Sequence, residues 1–142
     1  MGDPVGSRKF PGWITEGYAH FIEIETFGLC RNECIGEVAT KDPNLESDWK
    51  ARVFGFVRKG KDPQFATFAD RSTQELTPLL KNLSWSIVDF VLKEHKDKAG
   101  DLMRMIVGGK TTAQGFEAVF KWSLARVHEE WRKYVEKNYA QK

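Results

Sequence analysis

Residues 11–25 read Pro-Gly-Trp-Ile-Thr-Glu-Gly-Tyr-Ala-His-Phe-Ile-Glu-Ile-Glu, and the rest of the chain is organised around this stretch. At about 100° per residue its apolar residues fall on one broad arc, which indicates an amphipathic helix. That arc holds Ile14, Gly17, Tyr18, Phe21, Ile22 and Ile24. The opposite face holds Glu16, His20 and Glu23. We therefore predict a helix whose apolar arc lies in the core and whose three polar residues lie together on the opposite face.

Two interpretations of this polar face are open. Carboxylate and imidazole groups bind zinc and serve in acid–base catalysis, so Glu16, His20 and Glu23 form a candidate metal site. The alternative is a solvated surface on which residues three and four positions apart stabilise the helix. The spacing by itself favours the solvated surface, because Glu and His are common on exposed helix faces.

The order of residues in this stretch points to a known family. The run 13–19, Trp-Ile-Thr-Glu-Gly-Tyr-Ala, followed by Glu23, resembles the Trp-Leu-x-Glu-Gly-x-Ala segment of the gluzincin (peptidase-MA-like) zinc metallopeptidases. The resemblance implies that Glu16 is the third zinc ligand, on a helix that follows a His-Glu-x-x-His helix. It also implies that Gly17 allows close packing on a neighbouring helix and that Ala19 keeps that face slim.

The remaining family residues are missing from the chain. His20 and Glu23 match no family ligand, and we assign them at most as hydrogen-bonding partners of the ligand. His-Glu-x-x-His is absent: the run that starts at His128 has Arg132 in place of the second His. No Tyr or His stands at 81–83, where gluzincins often supply the group that stabilises the tetrahedral intermediate. We therefore expect no catalytic residue here, no activity of the chain alone, and zinc only in a complete protein.

Two further segments resemble the same family. Residues 84–92, Ser-Trp-Ser-Ile-Val-Asp-Phe-Val-Leu, resemble a Ser-Trp-x-Leu-Val-x-Phe-Leu helix of bacterial peptidase-MA-like proteins, and residues 131–135 resemble their closing Trp-Arg-x-Tyr-Val helix. Together the three segments extend over residues 11–135. The resemblance implies the C-terminal helical half of a gluzincin, which in the complete enzyme walls the cleft for a peptide or protein substrate.

Hydrophobic periodicity leads separately to an all-α, single-domain bundle of about six helices. Besides the first helix, we predict helices over 45–59, from 78 to about 95, over 98–107, after Thr111 and after Ser123, with a short apolar segment at 64–69. The helix from 78 is apolar on nearly every side, which is typical of a buried central helix. For Asp89, the acid within its apolar middle (83–92), we expect either a position at the rim, paired with a Lys or Arg, or a place in a functional site.

Composition limits the domain count and the partners. With 41% hydrophobic and 13% aromatic residues, the 142-residue chain is expected to form one folded domain over 9–142, after a flexible lead-in over 1–8. The net charge is +2, and positive and negative residues are mixed along the chain. The sequence therefore lacks the basic patch that is typical of a nucleic-acid-binding protein. No apolar run reaches the about 18 residues of a membrane span. The resemblance implies that Met1 is a start within a longer protein.

Cys30 and Cys34 are the two cysteines of the chain. A disulfide across a turn is one interpretation and a pair of free thiols is the other. An even cysteine count in a short loop favours a secreted or periplasmic protein, whereas free thiols leave the compartment open. No further Cys completes a structural zinc site.

Two functional hypotheses follow. In the first, the chain is the C-terminal helical part of a zinc metallopeptidase-like protein; it then exposes an apolar face where the missing half docks, and dimerises through it. In the second, it is a self-sufficient, non-catalytic helical module for binding or scaffolding, monodisperse and stable. A third interpretation, in which Glu16, His20 and Glu23 bind a metal by themselves, is tested by replacing His20 with Ala.

Overall fold

The computed structural model describes residues 10–27 and 48–140, and in this part of the chain all regular structure is helical. The six α-helices are α1 (Gly12–Phe27), α2 (Trp49–Arg58), α3 (Pro78–Glu94), α4 (Lys96–Val107), α5 (Thr112–Phe120) and α6 (Leu124–Asn138). Two short 3₁₀ helices, Phe65–Thr67 and Thr73–Glu75, lie between α2 and α3. The predicted all-α bundle of about six helices is confirmed.

Side-chain caps fix where the later helices begin, as the sequence predicts. Thr77 Oγ1 accepts a hydrogen bond from the Leu80 N–H (3.2 Å), and a proline follows Thr77 at the first position of α3. At α5, the Thr111 and Gln114 side chains each accept from the other residue's backbone N–H. Such caps satisfy N–H groups that have no partner within the helix.

Helix α3 is the centre of the bundle. Every residue from position 80 to position 91 is buried, and α3 contacts α1, α2, α4 and α6, with its largest interface on α1. Burial of each large apolar side chain contributes about 1.5–3 kcal/mol, so an all-round apolar helix is stable only at such a central position. The predicted central role of this helix is confirmed.

The α1–α3 interface depends on a glycine. A Cβ atom at Gly17 would lie 2.5 Å from the Ser84 carbonyl oxygen and 2.7 Å from Val88 Cγ2. These distances are far below van der Waals contact, so the two helices meet backbone to backbone at this point. Gly17 therefore does allow close packing on a neighbouring helix.

The rotation of α1 differs from the sequence prediction. Glu16, His20 and Glu23 are buried, with 8%, 5% and 7% of their surfaces exposed, whereas Tyr18 and Ile22 are each 48% exposed. The predicted apolar arc with Tyr18 and Ile22 in the core is therefore wrong, and so is the interpretation of the polar face as a solvated surface.

Trp13 accounts for this rotation. The predicted arc leaves Trp13 out, but the structure buries it completely, and its indole N–H donates to Thr112 Oγ1 (3.0 Å). The buried face of α1 is therefore centred between Trp13 and Gly17, and it includes Glu16 and His20. Their mutual pairing, described below, compensates part of the cost of burying polar groups.

Smaller predictions have mixed outcomes. In the last helix the apolar spacing of Val127, Trp131 and Val135 predicts an inward face, and the structure buries all three. In α4 the apolar spacing also predicts an inward position for Met105, which is instead exposed. The lead-in, the cysteine pair and the predicted start of the second helix at residue 45 lie outside the described residues. Among the described helices, none combines the length and apolar character needed to cross a membrane.

Candidate functional site

The three polar residues of α1 line one groove. Its volume is about 440 Å³, and its lining residues are Thr15, Glu16, Ala19, His20, Ile22, Glu23, Thr26 and Phe27. His20 Nε2 lies 3.1 Å from Glu16 Oε2, one helical turn away. The structure therefore brings all three predicted site residues to a single concave surface, and it pairs two of them.

The Glu16 carboxylate is held in its ionised form. Hydrogen bonding to His20 lowers the pKa of Glu16, and the positive charge of Lys81 on α3 lowers it further, against the opposing effect of burial. Both side chains of the pair are almost fully enclosed. A charged carboxylate in an enclosed setting is typical of a metal ligand or of a structural ion pair.

Aromatic rings from α2 and α3 support His20. The imidazole packs on the Trp49 ring with 4.9 Å between centroids, and Trp49 meets Trp85 edge to face at 5.9 Å. Because Trp85 belongs to the central helix, this contact chain fixes the imidazole relative to the core. The apolar spacing of Trp49, Val53 and Val57 predicts that Trp49 lies in the core, but it does not predict the contact with His20.

The described donors do not by themselves form a zinc site. A catalytic zinc takes three protein ligands. In residues 10–27 and 48–140, no group of three His, Cys, Asp or Glu side chains is arranged to hold a metal ion. Glu16 and His20 instead form a buried carboxylate–imidazole pair. Any zinc bound by Glu16 would need ligands from elsewhere.

A second buried polar cluster surrounds His128, which the sequence marks only as part of an incomplete zinc motif. His128 Nδ1 accepts a hydrogen bond from the Phe65 N–H (3.1 Å), so its proton resides on Nε2, 2.8 Å from Asp62 Oδ2. Arg132 lies 3.4 Å from the other carboxylate oxygen. Burial lowers the pKa of His128 more than Asp62 raises it. The cluster ties the segment before α3 to α6, and its members lie too far apart in sequence for a local pattern to reveal them.

The third cluster corrects the prediction for Asp89. Lys93 Nζ lies 3.6 Å from Asp89 Oδ1, so the expected pairing with a lysine is confirmed. The rim position is wrong, because Asp89 is buried at the centre of the bundle. There its Oδ2 accepts hydrogen bonds from the hydroxyls of Tyr134 (2.8 Å) and Tyr139 (2.5 Å). Burial and the charge of Asp89 raise the pKa of both phenols, which therefore stay protonated donors.

Comparisons of the chain with family models, curated proteins and solved structures found no match. The gluzincin relationship therefore stays a prediction. It depends on the three sequence segments, and the positions of Glu16 and Gly17 in the structure are compatible with it.

Proposed function

We propose that this chain is the C-terminal helical part of a zinc metallopeptidase-like protein, in which α1 supplies Glu16 as a zinc ligand. The observation that carries the proposal is the position of Glu16: an ionised, buried carboxylate on a groove, next to the glycine at which α1 meets the central helix. Under this proposal the chain has no activity by itself.

The support around Glu16 favours a ligand over an incidental surface charge. Metal ligands need side chains whose direction is set before the metal arrives. The backbone contact at Gly17 fixes the distance of α1 from α3, and His20 restricts the carboxylate rotamer. Neither feature is needed to keep an exposed glutamate on a solvated helix.

The remaining parts of the active site are proposed to lie outside these 142 residues. A His-Glu-x-x-His helix would supply two imidazole ligands and the general base, and the groove on α1 would form part of the wall facing a peptide or protein substrate. Tyr18 and Ile22, half-exposed on α1, are compatible with a docking face for the rest of such a protein.

The second candidate function is a self-sufficient, non-catalytic module for binding or scaffolding. It is favoured by the core, in which apolar residues of all six described helices belong to one cluster. Light scattering after size exclusion separates the two candidates. A monomer at all concentrations with a sharp thermal transition favours the module, whereas concentration-dependent dimers favour a domain that lacks its docking partner.

The direct test of the proposed ligand is zinc content. We would express the protein from its native locus, with all sequence in frame with this chain, and measure zinc by mass spectrometry. The expected result is one zinc per chain, with Glu16→Gln weakening affinity by more than the about 10–100-fold typical of supporting residues. Glu25→Gln, an exposed glutamate of the same helix, is the matched control and should keep its zinc. Zinc-free wild-type protein, or full zinc in Glu16→Gln, would refute the proposal.

A further inference from the structure

Two polar side chains of the central helix are buried without a hydrogen-bond partner among the described residues. Asn82 has none of its surface exposed and Trp85 has 1%. Within the described structure, neither amide atom of Asn82 (Oδ1 and Nδ2) nor the Trp85 indole nitrogen makes a hydrogen bond. Buried polar groups in native proteins are almost always hydrogen-bonded, to protein or to ordered water, so three such atoms one helical turn apart need an explanation.

The neighbouring polar residues of α3 contrast with them. Asn82, Ser86, Asp89 and Lys93 follow one another at helical spacing and form what we call the α3 polar stripe. Beyond Asn82 the stripe is satisfied by protein groups: the Trp131 indole N–H donates to Ser86 Oγ (2.8 Å), and Ser86 donates to the Tyr139 hydroxyl (3.2 Å). The unpaired atoms therefore occur at one end of an otherwise connected network.

We propose that one internal water molecule binds between Asn82 and Trp85 and completes the α3 polar stripe. The unpaired groups are two N–H donors, the Asn82 amide nitrogen and the Trp85 indole nitrogen, and one acceptor, the Asn82 amide oxygen. The bound species therefore has to accept hydrogen bonds from the donors and donate one to the acceptor. A metal or ammonium cation cannot accept from an N–H, and a simple anion cannot donate to the carbonyl. Water does both, and a buried water typically makes about three hydrogen bonds, which is the number of groups available here.

Asn82 and Trp85 lie three positions apart on α3, so their side chains start from neighbouring points of the same helix face. The site lies in a part of the core where Trp85 stacks on Tyr139 with 5.6 Å between ring centroids, so bulk solvent does not reach it.

The test is a high-resolution crystal structure of the 142-residue chain, with and without Asn82→Leu. We expect a density peak within hydrogen-bond distance of both Asn82 and Trp85 Nε1, and its loss in the variant. The Trp131 indole is the internal control. Its N–H already donates to Ser86 Oγ, so no water peak is expected beside it. An empty or protein-filled space beside Asn82 in the wild type would overturn the proposal.

A stability measurement gives a second, independent readout. If water satisfies the site, Asn82→Leu leaves the Trp85 N–H without a partner, and the folding equilibrium constant falls by about tenfold, the usual size for one unmade buried hydrogen bond. If the amide is unpaired, the same substitution removes a buried unsatisfied group, and the constant is unchanged or rises. Trp85→Phe, which removes only the indole donor and some ring volume, repeats the test should Asn82→Leu fail to fold.

Discussion

Substitution of Gly17 by alanine tests how α1 is held on the central helix. The added methyl group would lie 2.5 Å from the Ser84 carbonyl oxygen and 2.9 Å from the Ser84 carbonyl carbon, which are backbone atoms and cannot rotate away. Helix α1 would have to move outward, and the buried polar pair beside the glycine would move with it. We therefore expect Gly17→Ala to destabilise the fold.

The magnitude follows from opposing contributions. Alanine is better than glycine in a helix interior by about 1 kcal/mol. Overpacking a tight core contact costs about 1–3 kcal/mol, and contact with backbone belongs at the upper end of that range. We expect a net loss of about 1–2 kcal/mol. Gly55→Ala on α2 is the matched control, because a Cβ there meets nothing within 4 Å and the propensity gain of about 1 kcal/mol remains.

The assay is urea unfolding followed by circular dichroism, with both variants beside the wild type. The two substitutions are chemically identical, so the sign of the difference reports the local contact alone. We expect the midpoint of Gly17→Ala to fall and that of Gly55→Ala to rise. Equal midpoints for the two variants, or a rise for Gly17→Ala, would show that α1 and α3 are not in backbone contact.

Two other predictions concern the buried clusters. Tyr139→Phe removes a hydroxyl that donates to the Asp89 carboxylate, and it should lower the free energy of unfolding by about 1.5–3 kcal/mol. Tyr18→Phe, at an exposed position, is the control and should change it by almost nothing. Equal effects of the two substitutions in urea titrations would contradict the hydrogen bonds to Asp89. Because the folded pKa of His128 lies below its ordinary value of 6.5, the unfolded chain takes up the proton first. Its contribution to stability is therefore complete above about pH 6.5 and decreases as the pH falls below it, by at most about 1.4 kcal/mol per pH unit. His128→Gln should make stability less dependent on pH between 5 and 7, and an unchanged slope would refute this.

The helices were predictable because their signals are local. The caps at Thr77, Thr111 and Ser123 and the all-round apolar character of α3 depend on residues within one or two turns of each other. For the same reason the sequence predicts the short apolar segment that contains Phe65.

The rotation of α1 was not predictable from its apolar arc. The predicted arc includes Gly17 but leaves out Trp13, whose complete burial and hydrogen bond to Thr112 on α5 turn the buried face of α1 toward Glu16 and His20. The Asp62–His128 pair and the two tyrosines on Asp89 were missed because they join residues 45–66 positions apart, which no local pattern connects. Residue type and helical spacing make Glu16 a candidate ligand, and the family resemblance assigns it the role of third zinc ligand.

The central claim is that Glu16 belongs to a zinc site completed by another part of the same protein. The most direct measurement is to sequence the native locus upstream of the codon for Met1, in frame. The account predicts a His-Glu-x-x-His sequence within a few dozen codons, which would supply the two missing ligands and the general base. A genuine start at Met1 would contradict it and favour the self-sufficient, non-catalytic helical module.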